Sequence, residues 1–447
     1  MIGKTDKNPQ LNVFRTPLVS VINMKHELVE LAQRIDWKSI EKDFAPYYAD
    51  MGRPAVPVRK MVGCMLLKQM YGQSDEAFVD RWIENPYWQY FCGETYFQYD
   101  KPSDSYRIDP SEFVHFRKRL GTDGAEKLLK LSISLFEKKE VEEKEVLIDT
   151  TVQEKNITFP TDAKLHKKII EGCWKLAEQE GIDLRQSYSR TLGQLMIDQR
   201  FHDHPKRRKK AMAAARKIKT IAGRLVRDVE RGLDNKDRLE AYDEQLWLYY
   251  RVLGQKRDSH NKIYSFHAPE VSCISKGKDH KKYEFGNKSG FVITKNSGII
   301  LGAMAFEGNP YDGHTLEPQL EQVSDLIGRL PKVALVDRGY KGRKTILGVE
   351  IMMPGTGKGK TAYEKQRDRA RFRRRAAVEP VIGHLKSDYL MLRNYLKGVE
   401  GDMINTIMAA VAFNMMKRLR QIREAIYFVL DLLTGNWSVK YVTVQNY

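Results

Sequence analysis

The apolar period of this chain changes near residue 145, and that switch limits what it can fold into. Up to about residue 140 apolar residues recur at helical spacing, as in "HELVELAQRI" from His26. "EVLIDTTVQ" then gathers β-branched residues into a run of strand length, with Asp149 inside it. From about residue 163 to 250 the pattern is helical again. Strands resume in "KKYEFGNKSGFVIT" and "GIILGAMAFEG", joined across the turn residues "KNSG". "TLEPQLEQVSDLIGRL" reads as an amphipathic helix, and "PKVALVDRGYKG" as an apolar strand running into Asp337. "GVEIMMPG" is a further strand, followed by an arginine-rich helix. The order strand, helical insertion, hairpin, helix, strand, strand, helix predicts an α/β domain interrupted after its first strand.

Four parts follow from these shifts. Residues 1–140 form an all-α N-terminal domain, 141–162 with 251–400 an α/β core, 163–250 a basic helical insertion, and 401–447 a C-terminal helical segment and tail. Within the first part, two helical runs meet at Gly72 with Ser74 as N-cap, and "DPSEFVHFRKRLG" opens on Asp109–Pro110 and closes on Gly121. Two helices about a glycine turn suit a helix-turn-helix, which makes this part a candidate for binding DNA ends.

Charge narrows the function. A net charge of +18 over 447 residues points to a polyanionic partner, nucleic acid first. Residues 206–231 alone carry eleven Lys or Arg against Asp228 and Glu230, so Arg207, Arg208, Lys209 and Lys210 are candidates for contact with a DNA backbone. The four cysteines, Cys64, Cys92, Cys173 and Cys273, lie far apart without a CxxC pair, which argues against a zinc knuckle or a disulfide framework. The first residues hold no signal-peptide core, and "AIYFVLDLL" is too short to span a bilayer and contains Asp431. A cytoplasmic, nucleoid-associated protein without membrane attachment is expected, with that late apolar segment buried or facing a partner. "PGTGKGKT" imitates a phosphate-binding loop but has Pro354 where that loop needs glycine.

Three carboxylates stand out. Asp149 follows "VLI" and Asp337 follows "ALV", places where a charge is costly unless something compensates it. Glu379 lies in "RFRRRAAVEPVIGHLK", among Arg371, Arg373, Arg374 and Arg375. Treated as one α-helix, Phe372, Arg375, Glu379 and Lys386 share a face. Convergent acids suit hard divalent cations such as Mg²⁺, and neighbouring guanidinium and ammonium groups suit phosphate. The alternative is a structural ion pair between Glu379 and an arginine.

Together "LIDTT", "VDRGYKG" and "RFRRRAAVEPVIGHLK" resemble the DDE transposases of bacterial insertion sequences, in the group named for insertion sequences four and five. That group's third block has Tyr, Arg, Glu and Lys at spacings of two, three and six; Arg375, Glu379 and Lys386 match, and Phe372 stands where Tyr is usual. The resemblance implies an RNase H-like catalytic core in which Asp149, Asp337 and Glu379 hold two Mg²⁺ ions, or Mn²⁺. It also implies that Arg375 and Lys386 grip DNA phosphate and that a homodimer acts on inverted-repeat ends and target DNA, while the positive charge around Glu379 makes Arg371 and Arg374 further candidates for DNA contact. A nuclease of the same fold without strand transfer, or a non-catalytic DNA-binding protein, are the other classes open to such a sequence.

Overall fold

In a computed structural model of the chain the described residues are 16–48, 51, 55–98, 108–233, 236–256, 258–275, 282–355 and 361–434. Those before residue 142 are helical, as the period predicts. They form α1 (Glu27–Arg34), α2 (Trp37–Phe44), α3 (Val58–Met70), α4 (Asp75–Glu84), α5 (Pro86–Phe91), α6 (Pro110–Ser134) and α7 (Lys138–Val141). Local chemistry sets their ends. Ser74 accepts from the Ala77 N–H to start α4, and Asp109 accepts from the Ser111 N–H to start α6. Gly121 interrupts α6 with φ 57° and ψ −159°, a region open essentially to glycine. The expected stop is therefore there, and a second helical stretch follows it.

The glycine turn expected of a helix-turn-helix forms at Gly72, between α3 and α4. Around it α3 is buried on nearly every side, and the exposed positions of α4 are Glu76, Asp80, Arg81 and Glu84.

The chain divides into two compact units, 1–154 with 288–447, and 155–287. The second unit holds α8 (Asp162–Glu180), α9 (Ser189–Asp198), α10 (Arg208–Gly232) and α11 (Lys236–Gly254), and then β2 (Ser272–Ser275). Its helices share an apolar core in which Ile169 and Ile170 of α8 meet Ile218, Ile221, Leu225 and Val229 of α10. With that face buried, the Lys and Arg residues of α10 are left on the solvent side.

The first unit is built on a mixed sheet of β1 (Glu145–Glu154), β3 (Tyr283–Thr294), β4 (Ile300–Phe306), β5 (Val333–Leu335), β6 (Thr345–Ile346) and β7 (Val349–Met352), in the order β4-β3-β1-β5-β7-β6. β1 and β5 run parallel, as do β5 and β7, while β3–β4 and β6–β7 are antiparallel. After β4 comes α12 (Asp312–Ile327), and after β7 come α13 (Ala362–Arg373), α14 (Val378–Ser387) and the long α15 (Gly398–Thr434). This is an RNase H-like core carrying a helical insertion and preceded by a helical region. Leu128, Leu129 and Ile133 of α6 share one core with Ile300 of β4 and Ile407, Met408 and Val411 of α15. Two amide side chains act as a surrogate strand along β4. Asn414 bonds both the N–H and the C=O of Ile300, and Gln322 both those of Ala303.

"AIYFVLDLL" lies at the end of α15, where Tyr427, Phe428, Val429 and Leu433 are 51–76% exposed, so burial within this chain is set aside. No helix among the described residues is long and apolar enough to cross a membrane.

Candidate active site

Strand register brings two of the expected acids together. Leu147 of β1 stands opposite Leu335 of the parallel β5, so two residues further along each strand Asp149 and Asp337 emerge at the same edge of the sheet. Asp337 caps the short 3₁₀ turn Arg338–Tyr340 by accepting from the Gly339 N–H at 2.7 Å. Asp149 accepts from the Thr150 N–H at 2.9 Å, and its side chain is only 18% exposed.

One cation lies between them. A terminal nitrogen of Arg375 is 3.4 Å from Asp149 Oδ2 and 3.6 Å from Asp337 Oδ2, longer than a well-formed charged hydrogen bond. Burial is the main reason that the Asp149 carboxyl is pushed up to about 6, and the neighbouring acids Asp337 and Asp312 add to it. Arg375 and the Thr150 N–H pull it back only in part. The guanidinium therefore compensates Asp149 incompletely.

The arginine-rich segment differs from the single helix assumed in the sequence reading. Residues Arg374–Ala377 form a 3₁₀ turn between α13 and α14. At three residues per turn rather than 3.6, this rotates Glu379 by roughly 60° relative to Arg375. Phe372, Arg375, Glu379 and Lys386 are thus spread more widely than a single α-helix would place them. Phe372 packs against the main core, Lys386 is half-buried on α14, and Arg374 is exposed. Glu379 is exposed in the first turn of α14 and makes no hydrogen bond or ion pair among the described residues. The structural pair of Glu379 with Arg375 is therefore not formed; Arg375 serves the two aspartates instead. Arg371 has a different partner, Glu145 at 2.6 Å, which Lys295 also meets at 2.7 Å. Burial raises the Glu145 carboxyl, but these two cations outweigh it and hold it below its ordinary value. Among the described residues no three of His, Cys, Asp and Glu lie close enough to cage a metal ion.

Sequence reading missed the shell around the aspartates. Asp312, the first residue of α12, accepts from Thr150 Oγ1 at 2.8 Å and from Lys288 Nζ at 2.9 Å. The Tyr340 hydroxyl is buried near Asp149, Asp312 and Asp337, and its proton affinity is raised, chiefly by burial. Asp312 carried no usable signal, because an acid in a first helical turn is ordinary dipole complementarity.

In the second unit Arg207, Arg208, Lys209 and Lys210 are all exposed around the start of α10. Lys210 pairs with Asp198 at 3.0 Å, and the Arg207 guanidinium lies over the Phe201 ring at 4.6 Å. Residues 356–360 of "PGTGKGKT" are outside the described residues.

Residues 17–119 match the family described as "Transposase domain (DUF772)", and residues 260–415 match the "Transposase DDE domain". A protein of Rhizobium meliloti, "Uncharacterized protein ORF8 in nfe locus", is 40% identical over 206 residues, 45% of this chain and 94% of that relative. No solved structure matches the chain.

Proposed function

This chain belongs to the DDE-type transposases, and from that premise we propose that it cuts phosphodiester bonds at the ends of an insertion sequence and joins the freed 3′-hydroxyls to target DNA. The observation that carries this reading is the register-matched pair Asp149 and Asp337 gathered around one cationic group. Their oxygen donors fit Mg²⁺ or Mn²⁺, and the Arg375 nitrogen near both supports a site that takes positive charge. Asp149 and Asp337 would hold the ions, and Glu379 would complete the set once DNA repositions α14. Two such ions, when bound, activate the attacking oxygen and stabilise the leaving one.

The chain's own groups do the rest. Arg375, freed from the aspartates, would grip a phosphate oxygen beside the scissile bond, with Lys386 and Arg374 placing the DNA end. Arg371, tied to Glu145, would hold its segment against β1 more than it would touch DNA. Arg207, Arg208, Lys209 and Lys210 would lie along the backbone of the bound duplex. The N-terminal helices would contribute to end binding, and two copies would pair the inverted repeats. The four free cysteines suit action in the cytoplasm, at the nucleoid.

The test is a gel assay with a 3′-hydroxyl donor duplex, a plasmid target and Mg²⁺. The reading expects joined products from the wild type and none from Asp149→Asn or Asp337→Asn, with DNA binding kept by both. Cleavage without joining would make the protein a nuclease of the same fold. Wild-type cleavage by either variant would remove that residue from the site.

A further inference from the structure

We propose that Asp312 is a third acidic residue of this site, binding through water the divalent cation that Asp149 and Asp337 hold directly. This rests on the metal reading above and adds a residue to it. Asp312 Oδ1 is fully engaged, by Thr150 Oγ1 at 2.8 Å and by Lys288 Nζ at 2.9 Å. Its Oδ2 accepts no hydrogen bond among the described residues and faces Gly339. A Cβ at Gly339 would stand 3.3 Å from Asp312 Oδ2 and 2.9 Å from Asp337 Oδ1, so both carboxylates crowd this glycine.

A second observation points to an occupant. The Tyr340 side chain is 1% exposed, and its hydroxyl makes no hydrogen bond of good geometry among the described residues, although Thr150, Asp149, Asp312 and Asp337 all act on it. A buried hydroxyl without a good hydrogen bond signals a missing water or ion. The charges agree, since three acids (Asp149, Asp312, Asp337) face two cations, Lys288 and Arg375. If Asp312 served only as counter-ion to Lys288, one oxygen would suffice. Mg²⁺ keeps several waters and takes one or two carboxylates directly, so a third acid acts through those waters. That is compatible with a site in which, among the described residues, no three acids converge on a bare ion.

The experiment is a Mn²⁺ titration of the full chain without DNA, following free Mn²⁺ by electron paramagnetic resonance, with melting curves in parallel. Wild type should bind Mn²⁺, Asp149→Asn should lose it, and Asp312→Asn should bind roughly 10- to 100-fold more weakly. Because Asp312→Asn strands Lys288, the double variant Lys288→Met/Asp312→Asn provides the control. It should melt like wild type yet show the same weakened binding, while Lys288→Met alone should bind at least as tightly as wild type. If Asp149→Asn loses Mn²⁺ while the double variant binds like wild type, Asp312 is only a counter-ion and the proposal fails alone. If wild type binds no Mn²⁺, or Asp149→Asn binds it normally, the metal reading fails and takes the proposal with it.

Discussion

Replacing Asp149 by asparagine is expected to stabilise the metal-free protein at neutral pH. Burial, with help from Asp337 and Asp312, lifts this carboxyl from an ordinary 3.8 to about 6. At about 1.4 kcal/mol for each tenfold change in proton affinity, that gap corresponds to about 3 kcal/mol of folding free energy lost when the group is ionised. The sign follows from the raised value. Below about pH 4 the acid is protonated in both states and costs nothing. Between about pH 4 and 6 the folded chain keeps the proton while the unfolded chain releases it, so stability falls as pH rises. Above about pH 6 the penalty is complete. Asparagine keeps the shape without the charge, and Arg375 retains Asp337 as a partner. The gain should therefore be about 1–3 kcal/mol near pH 8 and should vanish near pH 4. Urea unfolding of wild type and variant at several pH values, without divalent ions, measures it. A variant less stable than wild type near pH 8 would refute the reasoning, because the pair with Arg375 would then outweigh the cost of burial.

Glu379→Gln should leave stability within about 0.5 kcal/mol, since the side chain is exposed and unpaired, while cleavage in Mg²⁺ is lost; melting curves beside the cleavage assay check both. Changing Arg207, Arg208, Lys209 and Lys210 to glutamine should weaken binding to all DNA sequences alike and reduce the salt slope by up to about 3–4, with Lys210 contributing least because Asp198 already holds it. An unchanged slope would leave this run as an ordinary solvated face. Arg117→Met should cost about 3 kcal/mol, since Arg117 grips Asp75 through both nitrogens at 2.9 and 2.6 Å and ties α6 to α4. Burial raises the Asp75 carboxyl, but Arg117 and Lys68 hold it below its ordinary value, so the cost should shrink as pH falls below about 4. Unfolding curves at neutral and acid pH would show whether it does.

Elements whose shape depends on near neighbours were legible in the sequence. The change of period at "EVLIDTTVQ" located β1, Ser74 and Asp109 marked helix starts, and Gly121 marked a break, because each is decided within a few residues along the chain. Asp149 and Asp337 stood out for the same local reason, as charges at the ends of apolar runs. What depends on distant partners stayed hidden. Only the parallel register of β1 and β5 brings those two aspartates to one edge, and only folding gives Arg375 to them rather than to Glu379, four residues away. The 3₁₀ turn at Arg374–Ala377 widens the face expected of one helix, because a small change in residues per turn rotates Glu379 and Lys386 away from Arg375. Asp312 was the deepest omission. Its chemistry comes from Thr150 and Lys288, far off in the chain, and a first-turn acid looks alike whether it faces solvent or a buried site. Sequence sets which groups must be compensated, through the local cost of burying them; tertiary contact alone decides what compensates each one.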